Sequence, residues 1–405
     1  MNAGPPRACI LTPPGRGAVA TIRIVGGDSV IDAAQPRVFR AVNGRDLCDQ
    51  ELQRIVFGRW GLGVTEDVVV CRLRSEVTEI HCHGGDSAVH RVMADLERLG
   101  CQSELWRTHL TGQVGFLEAE LQDALQRAPT LRTAALLVQQ VDGRLEREIV
   151  KLMSDIESEA AAGAAANSDR VLVRLQSLVT GSGFGRHLIQ PWRVVFAGRP
   201  NVGKSSLINV LLGFTRSIVF DEPGTTRDAV ASESAFDGWP VRLIDTAGLR
   251  PTTDDLERAG MDKTRAELAT ASCRVVVLDV SRAPTEQDVS LFETWPDALI
   301  VAHKADRPVV WGKELPHNAL SVSSLDATGI DTLERAIVDL LVPETPNTEA
   351  ILAVTERQVA CLEQARQFFE RGEYGAARDE LARLLHGDAG DEGAADSVSD
   401  ASLYD

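Results

Sequence analysis

Apolar positions along the chain change their period three times. In residues 1–105 short apolar runs at Thr21 to Val25 and Asp67 to Leu73 predict strands, and the spacing over Ser87 to Leu99 predicts a helix. This stretch reads as a small α/β domain. From Phe116 to Ser158 the pattern turns helical, with Val138, Val141, Leu145, Ile149 and Leu152 three or four residues apart. Ala160 to Ala166 reads as a loop or frayed helix, Val171 to Leu178 resumes the helix, and Gly181-Ser182-Gly183-Phe184-Gly185 reads as a flexible joint. Residues 106–190 are thus the first part of a helical domain.

Between 191 and 342 short apolar runs alternate with helical patterns. Strands are predicted at Val194–Ala197, Val241–Ile244, Val275–Val280, Ala298–Ala302 and Ala319–Val322. The alternation implies a mostly parallel sheet with helices on both faces. Helix returns over 343–386, with Leu362, Ala365 and Phe369 on one face, and 387–405 reads as an acidic disordered tail. The simplest architecture is an α/β domain inserted into a helical one and preceded by a small α/β domain.

The loop after Val194–Ala197 carries the densest chemistry. Gly198-Arg199-Pro200-Asn201-Val202-Gly203-Lys204-Ser205 has the P-loop spacing between a strand and a helix start, continuing through Ser206. Backbone N–H groups of Val202 and Gly203 and the helix dipole suit phosphate oxygens, Lys204 reaches the β- and γ-phosphates, and Ser205 ligates Mg²⁺. Asp245-Thr246-Ala247-Gly248 closes a strand, where an Asp can hold Mg²⁺ through water and a Gly N–H can face the γ-phosphate. Between these motifs, Gly224-Thr225-Thr226-Arg227-Asp228 offers Thr226 as a second Mg²⁺ contact that orders with the γ-phosphate. His303-Lys304-Ala305-Asp306 follows another strand. Asp306 can accept hydrogen bonds from guanine N1–H and N2–H₂, which selects GTP over ATP. Ser323 and Ser324 follow the last strand and can complete the base contact.

Composition narrows the class. The chain has 405 residues, 44% hydrophobic, with a net charge of −17, which argues against a broad basic nucleic-acid face. Arg91, Arg98 and Arg107, or Arg127, Arg132, Arg144 and Arg147, read as solvated helix faces. Seven scattered cysteines without a Cys-x-x-Cys pair suit a reducing compartment. No stretch approaches the roughly 18 apolar residues of a membrane span, and no signal segment opens the chain. A soluble cytoplasmic protein is expected. His81 and His83 read as loop-orienting residues, because a catalytic zinc site wants a third ligand.

Together the nucleotide motifs resemble the translation-factor-like GTPases. Asn201, Gly224 to Asp228 and Asp245-Thr246-Ala247-Gly248-Leu249-Arg250 are similar to the MnmE (TrmE) family of tRNA-modification GTPases. Thr12 to Val19, Ile22-Arg23-Ile24 and Glu79-Ile80-His81-Cys82-His83-Gly84-Gly85 resemble that family's N-terminal elements, so the resemblance runs over about residues 8 to 385. It implies a homodimer that modifies the wobble uridine of tRNA with the flavoprotein MnmG. It also implies K⁺ beside the phosphates at Asn201, completed by loop groups of Phe220, Glu222 and Thr225 when two GTPase domains meet. K⁺ then stands in for an arginine finger. Leu249 occupies the usual position of a water-orienting Gln, and Glu257 matches the family's catalytic Glu.

The chain also departs from the family. The formyl-folate loop, Phe-Leu-Asn-Gly-Lys, is replaced by Trp106 to Gly115, leaving Arg23 as a possible contact to a folate derivative. His303 replaces the Asn of Asn-Lys-x-Asp, which puts guanine selectivity in question, and Phe220 removes a hydroxyl common in the K⁺ loop. The family's terminal Cys-x-Gly-Lys is not met at Ser402-Leu403-Tyr404-Asp405, and the last cysteine, Cys361, is expected to pack in a helix core. Two readings therefore stay open: the modification GTPase, and a divergent paralogue that switches with GTP as a regulatory or assembly protein without modification chemistry.

Overall fold

Inward and outward positions alternate along the N-terminal strands, and this alternation builds the first sheet. The computed structural model describes residues 4–12, 17–162, 168–214, 231–246, 266–347 and 349–387. Tertiary contacts divide the chain into a unit of Met1–Glu120 and a unit of Leu121–Asp405. In the first, β1 (Arg7–Ile10), β2 (Val19–Val25), β3 (Phe39–Ala41), β4 (Ile55–Trp60), β5 (Glu66–Arg74), β6 (Val77–His83) and β7 (Gln102–Ser103) form one sheet in the order β3-β4-β5-β6-β2-β1-β7. The β1–β7 pair is parallel and the other pairs are antiparallel. Ala20, Ile22 and Ile24 of β2 and Val56 and Trp60 of β4 point inward and are buried. Helix α1 (Asp28–Ala33) and helix α2 (Asp86–Arg98) contribute Ile31, Val92, Met93 and Leu96 to the buried residues of this unit. Trp60 donates its indole N–H to the buried Asp95 of α2 at 3.0 Å, which fixes the helix on the sheet. Helix α3 (Trp106–Val114) follows β7, and α4 (Phe116–Gln126) carries the chain past Glu120.

The second unit begins with α5 (Leu131–Val141), α6 (Arg144–Ala162) and α7 (Ser168–Gly185). The helical stretch expected from Phe116 to Ser158 is divided among α4, α5 and α6. Val138 is exposed, whereas Leu137, Leu145, Ile149 and Leu152 are fully buried. A turn at Asp142–Gly143 separates two helices, so one period does not run through both. The expected joint at Gly181–Gly185 is overturned, because α7 runs through it. A Cβ on Gly185 would lie 2.1 Å from the backbone oxygen of Ala353, and one on Gly181 would lie 3.4 Å from Leu352. Gly185 thus permits close backbone packing within a continuous helix. Gln140 fastens the same returning segment, donating to Ala350 O and accepting from Leu352 N, each at 3.0 Å.

Six strands follow: β8 (Trp192–Ala197), β9 (Ala231–Phe236), β10 (Trp239–Asp245), β11 (Cys273–Asp279), β12 (Leu299–His303) and β13 (Leu320–Val322). Their order is β13-β12-β11-β8-β10-β9, parallel throughout except for the antiparallel β9–β10 hairpin. Helices α8 (Lys204–Phe214), α9 (Glu286–Thr294) and α10 (Ile330–Leu341) belong to this layer. The interior of β8 and β11 reads Val194-Val195-Phe196-Ala197 and Val275-Val276-Val277-Leu278, all buried, as expected of central parallel strands. Phe184, Trp192 and Trp239 form an aromatic cluster with ring centroids 5.4–5.8 Å apart. Arg132 is not a solvated helix residue: its guanidinium lies 4.2 Å from the Trp239 ring and bonds Asp237 O at 2.7 Å.

The chain closes with α11 (Glu356–Glu370) and α12 (Tyr374–His386), which pack on α7 and α6 respectively. Leu362, Ala365 and Phe369 are buried together with Cys361. The helices before and after the α/β sheet thus share one layer, and Gly185 and Ala353 lie side by side where the chain leaves and returns. Among the described residues no helix is long and apolar enough to cross a membrane. The expected acidic tail beyond Gly387 lies outside the described residues.

Candidate functional site

The P-loop joins β8 to α8, and Lys204 is the first residue of that helix. Asn201 has φ 63° and Gly203 φ 105°, so two left-handed residues turn the chain back toward the helix start. Asn tolerates this conformation better than most side chains. A Cβ on Gly203 would lie 2.4 Å from the His303 ring, so glycine is required there on two counts. Lys204 is buried and donates from Nζ to Gly198 O and Arg199 O, both at 2.9 Å. Its charge is therefore held inside the loop that would surround phosphate oxygens. Arg199 is anchored by the fully buried Asp288 at 2.8 Å.

Two parallel strands bring Ser205 and Asp245 together. Asp245 ends β10 beside β8, and the Ser205 hydroxyl donates to its carboxylate. A hydroxyl and a carboxylate converging at a helix N-terminus are hard oxygen donors that fit Mg²⁺. Thr246 uses its hydroxyl internally, donating to Phe196 O at 2.8 Å, and so ties the end of β10 to β8. Ser206 is exposed on the first turn of α8.

The base-side loops meet at His303, the last residue of β12. Its buried ring lies between Val202 O, 2.7 Å from Nδ1, and Ser324 Oγ, 2.8 Å from Nε2. A carbonyl can only accept, so Nδ1–H donates to Val202 and the neutral Nε2 accepts from the Ser324 hydroxyl. Burial holds this imidazole below its ordinary value of 6.5, with the nearby Lys304 charge acting in the same direction and the Val202 hydrogen bond opposing. His303 thus connects the P-loop to both base-side loops. Lys304, with φ 63°, reaches Asp279 at 2.6 Å and Asn201 O at 3.1 Å. Asp306 accepts from the buried Ser323 hydroxyl at 2.8 Å, which orients its carboxylate.

Sequence reasoning missed Asp279. It ends β11 and is buried, and it also accepts from Ser281 Oγ at 2.6 Å. Burial raises its pKa, but bonds from Lys304 and Ser281 outweigh this and hold it below the usual carboxylate range. Its signal was an acidic residue at the carboxyl end of a central strand, where α/β sheets bind ligands. The expected residues Phe220, Glu222, Gly224, Thr225, Thr226, Ala247, Gly248 and Glu257 lie outside the described residues.

In the first unit Arg23 donates to Glu79 Oε1 at 2.6 Å, so its guanidinium already has a carboxylate partner. His81 bonds Thr21 Oγ1 at 3.0 Å, and His83 pairs with Glu66. Both histidines belong to β6, and each bonds a residue of a neighbouring strand, Thr21 of β2 or Glu66 of β5.

A stability prediction follows from His303. The folded protein keeps this ring neutral, whereas the unfolded chain takes up a proton as pH falls through 6.5. The associated stability is present above 6.5 and is lost as pH falls toward the lower folded value. His187 is shifted in the same direction, chiefly by burial. Urea midpoints measured from about pH 7 to about pH 5 should fall for the wild type and fall less steeply for His303→Gln. Identical slopes would show that His303 titrates as it does in the unfolded chain.

The strand–loop–helix with buried Lys204, the Ser205–Asp245 pair and the His303–Asp306 base loop define an α/β P-loop GTPase. The family model described as 50S ribosome-binding GTPase matches residues 193–305. The tRNA modification GTPase MnmE of Geobacillus thermodenitrificans is 33% identical over 407 residues, covering 90% of this chain and 88% of the relative. The MnmE of Bacillus subtilis is 31% identical over 417 residues, covering 92% and 90%. The chain belongs to the MnmE family. Among solved structures, the G domain of the T. maritima FeoB iron transporter matches at 25% identity and a TM-score of 0.26, over 37% of this chain and 99% of that one.

Proposed function

We propose that this protein is a cytoplasmic, homodimeric GTPase that acts with MnmG in modification of the wobble uridine of tRNA and uses K⁺ in hydrolysis. The observation that supports this most is the bracing of Asn201. Its left-handed backbone and its carbonyl bond to Lys304 set the P-loop residue that the family uses for K⁺. Lys204 binds the β- and γ-phosphates. Ser205, Thr226 and, through water, Asp245 hold Mg²⁺. Asp306, Ser323 and Ser324 recognise guanine, with His303 fixing the distance between the phosphate and base loops. Glu257 orients the attacking water. Mg²⁺ and K⁺ supply positive charge against the developing phosphoryl charge. A folate derivative at Arg23 would have to share that guanidinium with Glu79.

The relatives carry the name tRNA modification GTPase, and this name supports the tRNA assignment. The second reading, a GTPase switch without modification chemistry, draws on one observation. Cys361 is fully enclosed in α11 and is a poor nucleophile there. Complementation separates the two readings. Nucleosides from a strain lacking its own MnmE are analysed by mass after expression of this chain. Recovery of modified wobble uridine, with MnmG co-purifying, is the expected result. Unmodified uridine despite a GTP-hydrolysing, folded protein would select the switch.

A further inference from the structure

Three metal-compatible side chains converge in the first unit, and one of them, His109, lies in the Trp106 to Gly115 segment that departs from the family's folate loop. Glu104 N donates to Ala8 O at 2.9 Å, which sets Glu104 beside β1. One turn into α3, His109 is buried, and Cys9 of β1 is 1% exposed. The Cys9 thiol, a Glu104 carboxylate oxygen and a His109 ring nitrogen all lie within 4.8 Å of one another. His109 Nδ1 is 2.8 Å from Glu104 Oε1.

We infer that Cys9, Glu104 and His109 form a binding site for a divalent cation of the zinc type. Thiolate, carboxylate and imidazole are the donors that zinc takes. In a tetrahedral site with bonds of about 2.0–2.3 Å, ligand atoms stand roughly 3.3–3.8 Å apart, so side-chain adjustment of about an ångström suffices. The charges also balance. On binding, the thiol proton leaves to solvent, and one thiolate with one carboxylate neutralises the ion, so the buried cluster carries no net charge.

Outer partners are in place. Gln113 Nε2 lies 2.7 Å from His109 Nε2. With the cation on Nδ1, Nε2 carries the proton, and rotation of the Gln113 amide presents its oxygen to accept it. Arg7 lies 3.4 Å from the second Glu104 oxygen. Three protein ligands leave a fourth position for water or a ligand. The competing account is a Glu–His hydrogen bond beside a protonated thiol, with no cation.

Cobalt and zinc titrations of the chelator-stripped full chain distinguish these accounts. The site predicts one equivalent of Zn²⁺ held against a chromophoric competitor, and a thiolate-to-cobalt charge-transfer band with Co²⁺. Cys9→Ser and His109→Gln should each weaken binding by more than about 10²-fold, and Gln113→Leu by about 10- to 100-fold. Cys48→Ser, at an exposed thiol, and His83→Gln should bind as the wild type does. Far-UV dichroism checks that each variant is folded. If Cys9→Ser or His109→Gln does not fold, the wild-type cobalt band and Gln113→Leu still decide. Absence of the thiolate band, or equal zinc affinity in wild type and folded Cys9→Ser, overturns the site. Loss of binding in Cys48→Ser assigns the uptake to a surface thiol and also overturns it.

Discussion

Lys204→Ala should lower GTP affinity by about 10²-fold or more, since charge-assisted bonds to phosphate contribute about 1.5–3 kcal/mol each. Two effects add in this variant. The ammonium that would meet the β- and γ-phosphates is removed, and Gly198 O and Arg199 O lose the donor that braces the loop. Equilibrium binding of a fluorescent GTP analogue measures the loss. Thermal melting of the nucleotide-free variant, expected to change far less than affinity, separates binding from folding. Affinity within about threefold of the wild type would place the phosphates elsewhere.

Glu257→Ala should leave GTP binding within a few-fold and cut turnover by about 10²-fold or more, because positioning the attacking water contributes on that scale. Leu249, at the usual place of a water-orienting Gln, cannot do this work. Single-turnover phosphate release from a saturated enzyme reads the chemical step without product release. An unchanged rate would reduce Glu257 to a surface carboxylate.

The P-loop was legible because its signal is local. Gly198 to Ser205 lies between a buried strand and a helix, and strands β8, β10, β11, β12 and β13 announce themselves as short apolar runs between helical patterns. What escaped depends on contacts distant in sequence. Asp279 becomes a site residue only when β11 and β12 pair and bring Lys304 to it. The role of His303 depends on Val202 and Ser324, 101 and 21 residues away. Gly181–Gly185 looked like a joint because glycine spacing does not distinguish flexibility from close approach. Only the neighbouring Ala353 backbone decides it. In the first unit, β1, β3, β4, β6 and β7 were not read as strands, since short alternating segments such as Ile55–Trp60 bury one face only. The Cys9–Glu104–His109 cluster joins β1 to a segment about a hundred positions away and had no motif to mark it.

The central claim, a GTPase whose P-loop Asn201 serves a monovalent cation, is tested most directly by steady-state GTP turnover in KCl and in NaCl at equal ionic strength, with Mg²⁺ constant. Turnover in K⁺ should exceed that in Na⁺ by at least about tenfold, a barrier difference of roughly 1.4 kcal/mol, and Asn201→Ala should remove most of that difference. Equal turnover in the two salts, unchanged by Asn201→Ala, would contradict the account.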